Sequence, residues 1–179
     1  MKYIFDFDDT LFLTSKKFKK YIFIILNKAG ISHELVKDYF QKEEFNLFSL
    51  KKMLKYFSAE EEVYENIMNE TKNFINEGLI KTIKKLGKEN CYIVTYGDEE
   101  FQRDKIERAK ISPLFSEIIV VGKEYKKEAI EKICGRHKDE EVVFIDDKQK
   151  HFDELDMSKC PNLKTILYAG QDIKPLLLP

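Results

Sequence analysis

Tyr3-Ile4-Phe5-Asp6-Phe7-Asp8-Asp9-Thr10-Leu11 sets two carboxylates, one residue apart, directly behind a short apolar run. The run reads as a buried strand over residues 2–6, and packing gives no reason for acids at its end. Successive strand side chains point to opposite faces, but where the strand opens into a loop the backbone can turn both carboxylates toward one small volume. Such a cluster is costly unless protons or a metal ion compensate it. The stretch therefore implies a metal-assisted active site at the end of the first strand.

Working outward, four further runs read as strands: residues 91–95, 117–121, 142–146 and 163–168. The middle three are short and mostly β-branched or aromatic, which suits burial on both faces. Between them, residues 99–109 and 126–134 repeat their apolar side chains at helical spacing. Ala129, Ile130 and Ile133 form the stripe of a helix that covers a sheet. This alternation predicts an α/β fold, a Rossmann-like three-layer sandwich around a parallel sheet.

Residues 13–78 break the rhythm. They contain no convincing strand but carry Phe18, Tyr21, Ile22, Ile25 and Leu26 on one helical stripe. A second helix is expected from Ser32, a candidate N-cap. A third spans about 47–57, and a fourth runs from Ser58 to about Asn76, with Ser58 and Glu61 as a capping box. Gly78 is read as a stop before a helix over 79–86 that ends near Gly87. The division expected is a core of residues 1–12 and 79–179 and a helical cap of residues 13–78. Phe12, Phe18, Phe40, Phe45, Phe48 and Phe57 read most simply as packing within the cap, with pocket lining or a dimer contact as alternatives. Open α/β sheets bind ligands beyond the carboxyl ends of their strands, so a cap here would lie over the carboxylates and exclude water on closing.

Composition narrows the setting. The 179 residues are 43% hydrophobic and 35% charged, and 31 Lys plus Arg against 32 Asp plus Glu give a net charge of -1. That balance offers no electrostatic footprint for a nucleic-acid polymer or an anionic membrane. No run approaches the roughly 20 apolar residues of a membrane span. The N-terminal run reaches Asp6 too soon for a secretory signal, so a cytoplasmic protein is expected. Cys91, Cys134 and Cys160 form no CxxC pair and no zinc spacing, and Cys91 reads as a small core side chain. Most of Lys16, Lys17, Lys19, Lys20, Lys51 and Lys52 read as solvating exposed helix faces, with attraction of an anion as the alternative. The tail over residues 175–179 reads as packing across the core, with an exposed contact as the alternative.

Asp6-Phe7-Asp8-Asp9-Thr10 resembles the first motif of the haloacid dehalogenase superfamily, whose phosphatases carry Asp-x-Asp-x-Thr after the first core strand. Three later elements strengthen the resemblance. Ile93-Val94-Thr95-Tyr96-Gly97-Asp98 is similar to the second motif, a Lys-x-x-Ala-Ile-x-x-Ile arrangement from Lys126 to the lysine element, and Val142-Val143-Phe144-Ile145-Asp146-Asp147 to the last motif in its Asp-Asp form.

The resemblance implies roles. Asp6 would be the nucleophile that attacks phosphorus, and Asp8 the general acid for the leaving oxygen and then the base for water. The structural alternatives for both are a turn or a passive metal clamp. Asp9 and Thr10 would hold the loop, Thr10 through its hydroxyl. Thr95 would bind a phosphoryl oxygen, with Gly97 letting the backbone approach and an amide point in. The positive charge would come from Lys126, Lys123 or Lys127, with Lys126 the best fit. Asp6, Asp8 through its backbone carbonyl, and Asp147 would hold Mg²⁺, with Asp146 as a further ligand or support.

Where family members often carry Asp or Asn, four residues after the metal-binding Asp, this chain has His151. Asp153 is the alternative acid. The function implied is Mg²⁺-dependent hydrolysis of a small phosphorylated metabolite. A phosphomutase using the same Asp6 and Asp8, or a non-enzymatic phosphate-binding or protein-interaction module, are the other readings. Oligomeric state is not legible.

Overall fold

The structure is a computed structural model that describes residues 1–42, 47–122 and 125–177. Phe45, Lys123 and the last two residues of the tail lie outside the described residues. Five strands form one sheet: β1 (Lys2–Phe5), β2 (Cys91–Tyr96), β3 (Glu117–Val121), β4 (Val142–Asp146) and β5 (Leu163–Leu167). Their order is β3-β2-β1-β4-β5 and every pairing is parallel. The expected Rossmann-like α/β architecture is therefore present.

Strand alternation produces two cores. Ile4, Tyr92, Val94, Val142 and Phe144 face Ala129, Ile130 and Ile133, while Tyr3, Phe5, Cys91, Ile93, Val143 and Ile145 face the opposite side. Both faces are thus covered, as an all-parallel sheet requires. Helix α7 (Lys127–Arg136) supplies the first cover. On the second face lie α5 (Glu77–Leu86) and α6 (Glu99–Arg108), through Ile80, Ile83, Phe101 and Ile106.

Between β1 and β2 the chain is helical. A π-helical turn (Thr14–Phe18) leads into α1 (Lys19–Lys28), followed by α2 (His33–Lys42), α3 (Leu50–Tyr56), α4 (Glu61–Met68) and a 3₁₀ turn (Thr71–Phe74). Ser32 Oγ accepts from the Leu35 N–H at 3.3 Å, as its expected capping position implies. The segment leaves and rejoins the sheet region at one place, where Phe12 bridges antiparallel to Ile75 and the Leu13 N–H donates to the Phe74 carbonyl.

Three expected boundaries are wrong, and the first is the end of the fourth helix, which stops at Met68 rather than near Asn76 and is followed by the separate 3₁₀ turn. Ser58 is not an N-cap: it has φ +51° and its N–H closes the end of α3 on the Lys55 carbonyl. An N-cap needs extended backbone, and Glu60, at φ -66° and ψ 150°, occupies that place before α4. Gly78 is not a stop either. Asn76 caps α5, its side-chain oxygen accepting from the Leu79 N–H, and Gly78 lies inside the first turn. Gly87 does end α5, with φ +86°.

The remaining helices are short: α8 (Lys150–Asp153) and α9 (Lys174–Leu177). Leu177 is buried, and the Tyr3 hydroxyl donates to its carbonyl at 2.8 Å, so the described part of the tail packs on the core. Cys91, Cys134 and Cys160 are all free and buried. Among the described residues, no helix is long and apolar enough to cross a membrane.

Candidate active site

Register decides what meets at the sheet edge. Phe5 pairs with Ile93 on one side and Ile145 on the other, so Asp6 emerges level with Asp146 at the end of β4 and with Val94, two residues before the end of β2. The Asp6 N–H extends the ladder by donating to the Ile145 carbonyl at 2.9 Å. The strand order reverses around β1, with β2 and β3 laid down on one side and β4 and β5 on the other. Ligands of open α/β sheets bind at such a switch point.

Asp6 is buried and paired with Lys126, whose Nζ lies 2.5 Å from Asp6 Oδ1. The same ammonium donates to Asp146 Oδ2 at 2.7 Å. Lys126 is itself buried and stands immediately before α7, which explains how a lysine enters the site: its backbone starts the helix that covers the sheet. Lys127 points elsewhere, toward Glu131 at 3.8 Å.

Both oxygens of Asp146 meet protein donors. Oδ1 accepts from the Lys148 N–H, and Oδ2 accepts from Lys126 and pairs with His151 Nδ1 at 2.8 Å. His151 is buried, so the residue that departs from the family pattern takes a place in the site. Asp153 does not, since its carboxylate accepts from Gln149.

Asp147 differs. Its Oδ1 is buried without a hydrogen-bond partner among the described residues. Asp6, Asp146 and Asp147 offer carboxylate oxygens that lie within 4.8 Å of one another. An all-oxygen donor set with an unpaired buried carboxylate oxygen fits a hard divalent cation such as Mg²⁺. Asp147 and Asp6 would hold it, with Asp146 bracing Lys126.

The Asp8 carboxylate does not join that three-acid cluster; the metal role expected of this residue falls on its backbone carbonyl. Its oxygens are taken by other donors. Lys105 Nζ lies 2.6 Å from Oδ1, Thr14 Oγ1 also donates to Oδ1, and Gln102 Nε2 donates to Oδ2 at 2.6 Å. Sequence reading missed Lys105, Gln102 and Thr14. The signal was present on α6, where Phe101, Gln102, Lys105, Ile106 and Ala109 share one buried face. An amide and an ammonium on the apolar stripe of a helix require buried partners.

The two catalytic candidates sit in opposite electrostatic settings. Burial pushes the Asp6 carboxyl up to about 7, with Lys126 opposing and the charges of Asp146 and Asp8 reinforcing. For Asp8, burial also pushes upward, but the Lys105 charge and the hydrogen bonds from Lys105, Thr14 and Gln102 outweigh it and hold the group below its ordinary value. Burial would lower Lys126, yet Asp6 and Asp146 keep it raised. Asp147 is raised, chiefly by burial.

Thr95 is buried at the end of β2 and lines the same cavity, and its hydroxyl accepts from Gln102 at 3.3 Å. Gly97 does not aim its amide at the site, because that N–H donates to the Val121 carbonyl. Its glycine identity serves Gln102: a Cβ there would fall 2.6 Å from Gln102 Nε2. Asp9, at φ +62°, holds the loop by accepting from the backbone and hydroxyl of Ser15. Thr10 Oγ1 is buried and has no hydrogen-bond partner among the described residues; the loop is tied instead through the Thr10 carbonyl, which accepts from Asn76.

A family model described as haloacid dehalogenase-like hydrolase matches residues 3–167. Among solved structures, the fold is similar to a chain assigned as a haloacid dehalogenase-like hydrolase from Burkholderia xenovorans LB400, at 15% identity, 99% of this chain and 88% of that chain covered, and TM-score 0.67. It is also similar to a Bacillus subtilis HAD-hydrolase bound to magnesium, at 17% identity, 99% and 91% coverage and TM-score 0.55. A chain assigned as a β-phosphoglucomutase from Thermotoga maritima aligns at 14% identity, 99% and 90% coverage and TM-score 0.58. At these identities the likeness shows the fold. No curated protein matches the sequence.

Proposed function

The chain belongs to the haloacid dehalogenase-like hydrolase family, and from that membership we propose that it hydrolyses a small phosphomonoester with Mg²⁺ through an aspartyl-phosphate on Asp6. The observation that carries the reading is the setting of Asp6. It is a buried carboxylate beside a buried ammonium and an unpaired Asp147 oxygen, with Asp8 two residues on in a separate bracket of donors.

In this reading Lys126 orients Asp6 and, with the Thr95 hydroxyl, neutralises phosphoryl oxygens. Mg²⁺, when bound by Asp6 and Asp147, supplies further charge stabilisation for the transferring group. Asp6 Oδ attacks phosphorus, the bond to the leaving oxygen breaks, and Asp8 gives that oxygen a proton. Water then attacks the acyl phosphate, its proton passes to Asp8, and the bond between Asp6 and phosphorus breaks to free inorganic phosphate. Asp8 is held ionised by Lys105 before substrate arrives, so it acquires its proton only as the phosphate brings added negative charge beside it.

Residues 13–78 act as a cap over this site and residues 1–12 and 79–179 as the core. The substrate is a small phosphorylated metabolite, not a nucleic-acid polymer or a membrane component, and the protein works in the cytoplasm, a setting with which its free, buried thiols agree.

Phosphate release from a panel of phosphomonoesters, with and without Mg²⁺, tests the reading. Asp6→Asn should lose at least three orders of magnitude in turnover of any ester the native protein hydrolyses. Undiminished turnover by that variant overturns the mechanism, and formation of a phosphate isomer without phosphate release identifies a mutase.

A further inference from the structure

The cavity in front of Asp6 measures about 430 Å³, toward the small end of the roughly 300–1,000 Å³ of ligand pockets. Its floor is polar: Asp6, Asp8, Thr95, Lys126 and His151 all line it. The helices inserted after β1 supply the opposing wall, and that wall has a different chemistry. Among the described residues from 22 to 53, every side chain that reaches the cavity is apolar, with Phe23, Leu26, Val36, Phe40, Phe48 and Met53 the principal ones.

The aromatic part of this wall is continuous with the core. Phe40 and Phe48 have ring centroids 5.7 Å apart, and Phe48 meets Phe101 of α6 edge-on at 5.5 Å. The two hydroxyl side chains that the inserted segment adds to the lining are engaged, Thr14 with Asp8 and Ser15 with Asp9. The one charged residue that α1 adds to the lining is Lys19, which is exposed and lies at its start, on the side of the Asp8 loop.

We infer that the leaving group is an apolar alcohol, so that the substrate is a phosphate ester carrying a hydrocarbon body rather than a polyol; this rests on the phosphatase reading given above. A sugar or glycerol body would press hydroxyls against that apolar wall, whose described residues from 22 to 53 bring no side-chain donor or acceptor to the cavity. Each hydroxyl buried without a partner lowers affinity by about one to two orders of magnitude. A methylene placed on the same wall raises it about fourfold.

The test is a homologous series of alkyl phosphates, ethyl to butyl to hexyl, assayed with Mg²⁺-supplemented protein. The alcohols differ little in acidity, so the bond-breaking step stays constant while apolar area grows. kcat/KM should rise about fourfold per methylene, near 250-fold from ethyl to hexyl, with glycerol and sugar phosphates below butyl phosphate. Phe48→Asp, checked for native circular dichroism, should lower the hexyl-to-ethyl ratio at least tenfold.

A flat or falling series, a polyol phosphate turned over faster than hexyl phosphate, or an unchanged ratio in the folded variant overturns the inference. If polyol esters are hydrolysed in an Asp6-dependent way without a length preference, the specificity inference falls alone. If no ester yields phosphate in an Asp6-dependent way, the phosphatase reading falls with it.

Discussion

Replacing Lys105 by methionine isolates the bracket that holds Asp8. The Lys105 side chain is 3% exposed and that of Asp8 26% exposed, and the two are 2.6 Å apart. The ammonium also lies 5.0, 5.4 and 4.9 Å from the ring centroids of Phe7, Phe12 and Phe101, so methionine keeps the packing of the stem and removes only the charge. Removing one member of a fully buried pair costs about 3–5 kcal/mol. Asp8 opens partly onto the cavity and retains Thr14 and Gln102 as donors, which reduces the expected loss to about 2–3 kcal/mol. For a chain of this length that is a fall of about 5–10 °C in Tm.

A double-mutant cycle separates the pair from general damage. Asp8→Asn alone leaves a buried ammonium among three aromatic rings and should destabilise at least as much as Lys105→Met. The combined variant removes both charges and should regain about 2 kcal/mol relative to additivity in urea unfolding of the metal-free protein. Coupling below about 0.5 kcal/mol would mean that the two groups act independently, and the bracket would not exist as an energetic unit. Turnover by Lys105→Met should also fall at least about tenfold, because a displaced Asp8 forfeits part of the 10²–10⁴ that acid–base catalysis contributes.

Other perturbations test separate parts. The Asp6 carboxyl, raised from 3.8 to about 7, binds more protons folded than unfolded between those values, so its contribution to stability of the metal-free protein is lost as pH rises through that window. Mg²⁺ must displace the same proton, so its affinity, read by titration calorimetry, should climb from pH 6 to 7.5 and then level off. Arg108 pairs bidentately with Glu65 of α4 and also with Asp104, itself bonded to the Tyr64 hydroxyl. Arg108→Ala should speed amide hydrogen exchange along α4 while leaving β1 and β4 protected. Burial pushes the thiols of Cys91 and Cys134 up to about 12, so a thiol reagent at pH 8 should label them only after denaturant is added.

The sheet was legible because parallel strands buried on both faces must be short continuous apolar runs, and 91–95, 117–121 and 142–146 are such runs. Helix ends were less so. Ser58-Ala59-Glu60-Glu61 has the composition of a capping box, but α3 closes through Ser58 in a left-handed turn, and one residue cannot hold both conformations. Asn76 was available as a cap two residues before Gly78, and it is chosen because its side chain also reaches the Thr10 carbonyl and the Tyr168 hydroxyl. Such choices depend on partners 66 and 92 positions away, which no local window contains.

The site shows the same division more sharply. Asp6, Thr95, Lys126 and Asp147 could be named because the family resemblance marks those positions, and they lie at strand ends and before a helix, where the backbone brings them to one edge of the sheet. The character of Asp8 could not, because it is set by Lys105 and Gln102 from a different helix and by Thr14 from the start of the insertion. Two carboxylates one residue apart in sequence thus reach opposite states, one pushed up by burial and the other held down by an ammonium. Pairs of titratable groups driven apart in this way define acid and base roles. Here the resting order is the reverse of what the proposed attack on phosphorus would need, an ionised Asp6 and a protonated Asp8. In the proposed reaction that order would invert when a cation lies against Asp6 and a phosphate against Asp8, because each adds a charge that opposes the resting environment of the carboxyl beside it.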